Sequence, residues 1–195
     1  MDRKVAHNAL SQIASTITTH FKTDNNMSYK DKTYIIFDGD NDKWAYGRMK
    51  GWKALETIDF DFEDAHDVFT LTDRANDETY IKGKLRKRFE NAKQVIILLG
   101  EHTKNLYKYV RWELEVAIEL DLPIIAVNIN GDREQNINTC PPIIRDEYVV
   151  YIPYKMKIIK YALDNFPGEY KKREVGAEGS RIYNDSVYND LGLND

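Results

Sequence analysis

Apolar residues come in two patterns along this chain. Val95-Ile96-Ile97-Leu98-Leu99 and Pro123-Ile124-Ile125-Ala126-Val127 are solid runs without alternation. Such runs predict strands covered on both faces, as in a parallel sheet between helices. Thr33-Tyr34-Ile35-Ile36-Phe37 and Tyr148-Val149-Val150-Tyr151-Ile152 read the same way. Ile58-Asp59-Phe60-Asp61-Phe62-Glu63 instead alternates strictly, which predicts one wet face, and its row of carboxylates suits a sheet edge. Between these runs the spacing turns helical. Ile81, Leu85 and Phe89 recur every four residues and predict a helix over 78–91. Leu114, Ala117 and Ile118 form the stripe of a helix over 107–120. A helix over 44–56 has Trp44, Met49, Trp52 and Leu55 as its expected inner positions, and a closing helix spans 156–166.

Five strands alternating with helices define an α/β fold, a doubly wound, five-stranded parallel sheet of flavodoxin-like size. A strand order of 2-1-3-4-5 puts the alternating second strand at the edge. The loops after the first and third strands, Asp38 to Lys43 and Gly100 to Lys108, then flank the switch point, where ligands of such sheets bind. Leu10, Ile13, Ile17 and Phe21 predict an N-terminal helical extension over residues 1–30. The main domain covers 31–166. Residues 167–195 lose apolar density and read as a polar C-terminal tail on the surface or against a partner. Ile182-Tyr183-Asn184-Asp185 is echoed there by Val187-Tyr188-Asn189-Asp190.

Composition narrows the function. The net charge of −4 argues against a general nucleic-acid binder. No run approaches the ~20 apolar residues of a membrane span, and the N-terminus lacks the apolar core of a signal peptide. Cys140 is the single cysteine, so no internal disulfide forms, and a cytoplasmic location is expected. Beside Pro141-Pro142, with no histidine near in sequence, it reads as an inert thiol rather than a nucleophile.

Neither GxGxxG nor GxxxxGK[ST] is present. Asp38-Gly39-Asp40-Asn41-Asp42 fails as an EF-hand, with Lys43 at the turn-glycine position and Met49 at the twelfth. Asp38 and Asp40 leave open a magnesium-dependent phosphohydrolase, although Asn41-Asp42 and Gly100-Glu101 depart from that pattern. A solvated, turn-forming acidic loop is the plainer reading. No metal is expected. By periodicity alone Glu113 is an ordinary surface glutamate, and Tyr109 and Trp112 are packing residues.

Ile35-Ile36-Phe37-Asp38, Trp52-Lys53, Asp64-Ala65-His66-Asp67, the strand at 95 and Tyr109-Val110-Arg111-Trp112-Glu113 together resemble the TIR-like domain of the Thoeris antiphage ThsB family, over about residues 30–165. TIR enzymes place an aromatic residue four positions before a catalytic glutamate, after the third strand. Tyr109 and Glu113 match that spacing, with Tyr where Trp is commoner. The resemblance implies cleavage of the nicotinamide–ribose bond of NAD, with NAD as substrate and no cofactor. It makes Glu113 the catalytic residue and Phe37, Asp38, Asp64, His66 and Tyr109 substrate-binding candidates, with Trp44 behind them. It further implies a cyclic or conjugated ADP-ribose signal read by a separate effector, a phage-derived trigger, and self-association. A non-catalytic TIR-like adaptor using the same surfaces is the alternative.

Overall fold

The computed structural model describes residues 33–55, 60, 62, 77–106 and 108–193 of the 195. The expected extension over 1–30, most of the alternating run at 58–63, and both Asp64 and His66 lie outside the described residues. Strands β1 (Thr33–Ile36), β2 (Gln94–Leu99), β3 (Ile124–Asn128), β4 (Val149–Pro153) and β5 (Ser180–Arg181) form one parallel sheet in that order. Thr33 pairs with Gln94, Val95 with Ile124, Ile124 with Val149, and Val149 with Ser180. Every residue of β1 to β4 is buried, as their unbroken apolar runs require.

Helices cover both faces. Strand side chains alternate in direction, so each face takes every second residue. Tyr34, Ile36, Val95 and Ile97 pack with Ile81, Leu85, Phe89 and Leu114, which belong to α2 (Glu78–Phe89) and α3 (Tyr109–Glu119). Ile35, Phe37, Ile96 and Leu98 pack with Ala45 and Met49 of α1 (Lys43–Lys53) and with Ile159 and Leu163 of α4 (Met156–Lys171). Asp77 caps α2, its side chain accepting the Tyr80 N–H at 2.9 Å. The basic face of α2 is not simply solvated. Lys82 pairs with Glu78 and Glu115, and Arg86 with Glu119, so it meets the acidic side of α3.

Four expectations change. The fifth strand of the described sheet is Ser180–Arg181, which had been assigned to the tail. Phe60 and Phe62 are buried, as the alternation at 58–63 demands, but neither is in a strand. In α1 the inner positions are Ala45, Tyr46 and Met49, while Trp44 and Leu55 are exposed. The helix begins at Lys43, and its stripe runs through Ala45 and Met49 to Trp52, which packs half-buried against Phe60, while Trp44 falls outside it. Lastly, α4 runs on to Lys171 through Pro167. Proline cannot donate to the carbonyl four residues back. That carbonyl, Leu163, accepts instead from the Gln94 side-chain amide at 3.3 Å, so the buried acceptor keeps a partner.

Beyond α4 the chain returns to the sheet. After β5, Asn184 caps α5 (Asp185–Asp190), accepting the Val187 N–H at 3.3 Å. Tyr188 is buried there, with the Arg133 guanidinium 3.9 Å above its ring. No helix among the described residues is long and apolar enough to cross a membrane.

Candidate active site

The loops after β1, β2 and β3 surround a cleft of about 520 Å³. Asn41, Asp42, Trp44, Gly100, Glu101 and His102 line it, together with Asn130 and Thr139. The first two loops are those that flank the switch point foreseen from the strand order, so the crevice lies where an open parallel sheet binds ligands.

The loop after β1 is ordered by its own carboxylates. Asp38 Oδ1 accepts the N–H groups of Asp40 at 2.9 Å and Asn41 at 3.2 Å, and Oδ2 accepts the Asn41 amide at 2.7 Å. Burial pushes the Asp38 carboxyl up, but these hydrogen bonds more than offset it and hold the group below the usual range. Asp38 therefore builds the turn rather than lining the cleft. Phe37 is buried too, stacked on Tyr46 at 4.5 Å. Among the described residues no group of three or more His, Cys, Asp or Glu side chains could hold a metal.

Asp42 is the buried acid at the cleft. It stands at the start of α1 yet makes no side-chain capping bond. Its carboxylate lies instead against Gly100, where any Cβ would collide with both oxygens. Thr103 Oγ1 accepts the Gly100 N–H at 2.8 Å and has two acceptors for its single hydrogen, Asp42 Oδ2 at 3.3 Å and the Leu98 carbonyl at 3.4 Å. Asp42 thus shares one long hydrogen bond. Burial, and then the charge of Asp38, raise its pKa.

Glu113 does not reach this cleft. It sits one turn into α3, only 7% exposed, facing β1 and α2. The Tyr34 hydroxyl donates to its Oε1 at 2.9 Å. Burial raises the Glu113 pKa to about 7, against the Tyr34 hydrogen bond and the Arg88 charge, which favour the anion. Tyr34, buried beside that carboxylate, is held well above 10 and stays a donor. Tyr109 stands at the start of the helix, 41% exposed, with its ring edge-on to Trp112 at 5.6 Å. The spacing therefore put Glu113 on the right helix, but its carboxylate turns inward rather than to the rim. Cys140 is fully buried, 3.3 Å from the Tyr151 hydroxyl, and burial raises its thiol pKa, which fits an inert residue.

Sequence reading did not single out Asp42, Thr103, Tyr34 or Arg88. Asp42 is one of three aspartates in a single turn, and nothing in their order says which one turns inward. Tyr34 carried a usable signal: a tyrosine inside an otherwise aliphatic buried strand needs a partner for its hydroxyl.

A parallel sheet in this order, wrapped by helices on both faces and cleft at its strand ends, belongs to the doubly wound, flavodoxin-like class that includes TIR-like domains. Within it, the family model described as "Thoeris protein ThsB, TIR-like domain" matches residues 34–134, just over half of the chain. The chain belongs to that family of antiphage defence proteins.

Proposed function

We propose that this protein cleaves the nicotinamide–ribose bond of NAD and releases an ADP-ribose-type signal for a separate effector during antiphage defence. The observation that carries the reading is the environment of Glu113. It is a carboxylate withheld from water, held by a tyrosine donor with an arginine nearby, in a member of the Thoeris TIR-like family. Heterolysis of the N-glycosidic bond leaves positive charge on the ribose, as in glycoside hydrolysis. A fixed anion beside that charge lowers the barrier, and more strongly in a dry site than in water. Nicotinamide departs as a neutral ring, so no strong general acid is needed. The Tyr34 hydrogen bond and the Arg88 charge favour the anion, against the burial that raises the Glu113 pKa to about 7. Self-association and a phage-derived trigger belong to the same proposal.

One observation favours the alternative of a non-catalytic interaction module: Glu113 is enclosed and lines none of the cleft at the strand ends. Nicotinamide release by the purified protein separates the two. Release that Glu113→Gln abolishes while the fold persists supports catalysis. Equal release by both proteins removes Glu113 from the reaction.

A further inference from the structure

A second pocket, of about 350 Å³, shares no lining residue with the cleft. Lys104 and Leu106 come to it from the loop after β2, Arg111 from α3, and Pro141, Pro142 and Ile143 from the segment between β3 and β4. Four of these six side chains are apolar, two are cations and none is an acid.

The apolar wall is fixed in place. Ile144, next to Ile143, is buried in the same core as Val110 and Leu114 of α3. Arg145 donates to the carbonyls of Ile137 at 3.2 Å and Cys140 at 3.1 Å. The Gln135 amide in turn donates to the Arg145 carbonyl and the Tyr151 hydroxyl, each at 2.9 Å. Pro141 and Pro142 have no N–H to offer, and their carbonyls already accept from Ile144 and Arg145. This wall therefore meets a ligand chiefly with carbon.

Polar recognition falls to the two cations. Lys104 is half-buried and makes no hydrogen bond or ion pair among the described residues. Arg111 gives its Nε to Glu115 at 2.7 Å, a carboxylate that Lys82 also holds. Its terminal nitrogens have no acceptor among the described residues. In a chain of net charge −4 this is a local positive pocket. Charge complementarity asks for an anion, and the wall asks for an apolar group beside it. Apolar surface also continues past the pocket. Pro142 is exposed, and so is Ile137, at 63%, with its carbonyl held beside that of Cys140 by Arg145. A cavity at the lower end of ligand-site volumes, with apolar surface running on beyond it, suits a chain more than a small molecule.

We propose that this pocket docks a peptide segment of a partner protein, with an apolar side chain between Leu106 and Ile143 and a neighbouring Asp or Glu on Lys104 and Arg111. The walls are preformed, so little ordering is lost on binding. The cleft at the strand ends stays open, because the two sites have no residue in common. The proposal is independent of the NAD reading.

Fluorescence polarisation of labelled octapeptides against the full-length protein tests it. The set places Leu or Phe close to Asp or Glu, and each peptide has a neutral copy with Asn or Gln in place of the acid. Acidic peptides of the set bind saturably, and their neutral copies bind about tenfold more weakly, since a charge-assisted hydrogen bond is lost. Lys104→Glu weakens the acidic peptides at least about tenfold, by placing like charges together. Ile143→Ser weakens acidic and neutral copies alike. Lys104 has no partner to lose, so Lys104→Glu is expected to melt with the natural protein, and Lys104→Met is the milder second variant. No saturable binding by any peptide overturns the proposal, as do neutral copies that bind equally well or a Lys104→Glu protein that binds like the natural one. Phenylbutyrate binding as tightly as the best peptide assigns the pocket to a small acid and overturns it too. So does self-association that Lys104→Glu abolishes, which assigns the pocket to a second copy of this chain.

Discussion

The Tyr34 hydroxyl donates to Glu113 Oε1 at 2.9 Å, joining the first strand to a helix that begins 75 residues further along (109 − 34). Both side chains are buried, so the bond forms where water cannot replace it. Tyr34→Phe removes the donor and leaves the carboxylate worse satisfied. Stability falls by about 1–3 kcal/mol at pH 8, where the carboxylate is ionised, and by less at pH 5, where it is protonated. Urea denaturation at the two pH values measures this, and equal losses at both would show that the bond does not depend on the Glu113 charge.

Glu113 also makes stability depend on pH. Its pKa in the folded state, about 7, lies above the ordinary 4.5. Between those values the folded protein binds the extra proton. The protonated carboxyl's contribution is therefore fully present below pH 4.5 and is lost as pH rises through 7. The full swing is on the order of 3 kcal/mol. Glu113→Gln, which cannot ionise, is expected to be more stable than the natural protein at pH 8 and close to it at pH 4.5. Thermal unfolding across pH 4.5–8 reads this directly. Under the proposed function, that cost is the ordinary trade of stability for activity.

Helix α3 shows what the sequence carried and what it withheld. Its place and its stripe were legible, because they depend on local periodicity, whereas the Tyr109–Glu113 spacing took its meaning from the family resemblance. The solid apolar strands were equally legible, and so were the loops at 38–43 and 100–108, whose residues line the cleft. The inward turn of Glu113 was not, because it depends on Tyr34, a residue distant in sequence. The continuation of α4 through Pro167 was hidden for the same reason, since Gln94 supplies the missing donor from another strand. The two-residue β5 is too short to show a period, and its pairing comes from the already buried β4 beside it.

Gly100 is held small by Asp42. A methyl group there collides with both oxygens of a buried carboxylate, which must leave its seat against Thr103. Gly100→Ala is expected to cost about 1–3 kcal/mol and to disturb the cleft, whereas Gly47→Ala, with nothing within 4 Å of its added Cβ, is neutral or mildly stabilising on a helix. Parallel denaturation curves check the contrast.

The returning segment is part of the body. Removing residues after Lys172 strips β5 from β4 and takes away Tyr188, which Arg133 covers. The shortened protein is expected to unfold earlier on heating and to self-associate through the bared strand edge. Tyr188→Ala alone is expected to cost about 3 kcal/mol. Calorimetry and light scattering distinguish this from a tail that merely lies on the surface, whose loss would change neither.

The pH dependence of nicotinamide release follows from the same carboxylate. If the anion is the working form, the rate rises as pH passes through about 7 along a single ionisation. Tyr34→Phe moves that limb to higher pH, since the hydrogen bond it removes favours the anion.

The most direct test is mass spectrometry of nucleotides from phage-infected cells carrying either the natural protein or Glu113→Gln. The account predicts that the natural protein depletes NAD, liberates nicotinamide and accumulates an ADP-ribose product, and that Glu113→Gln, present at the same level, does none of these. The same product from both proteins, or unchanged NAD in infected cells with the natural one, would contradict it.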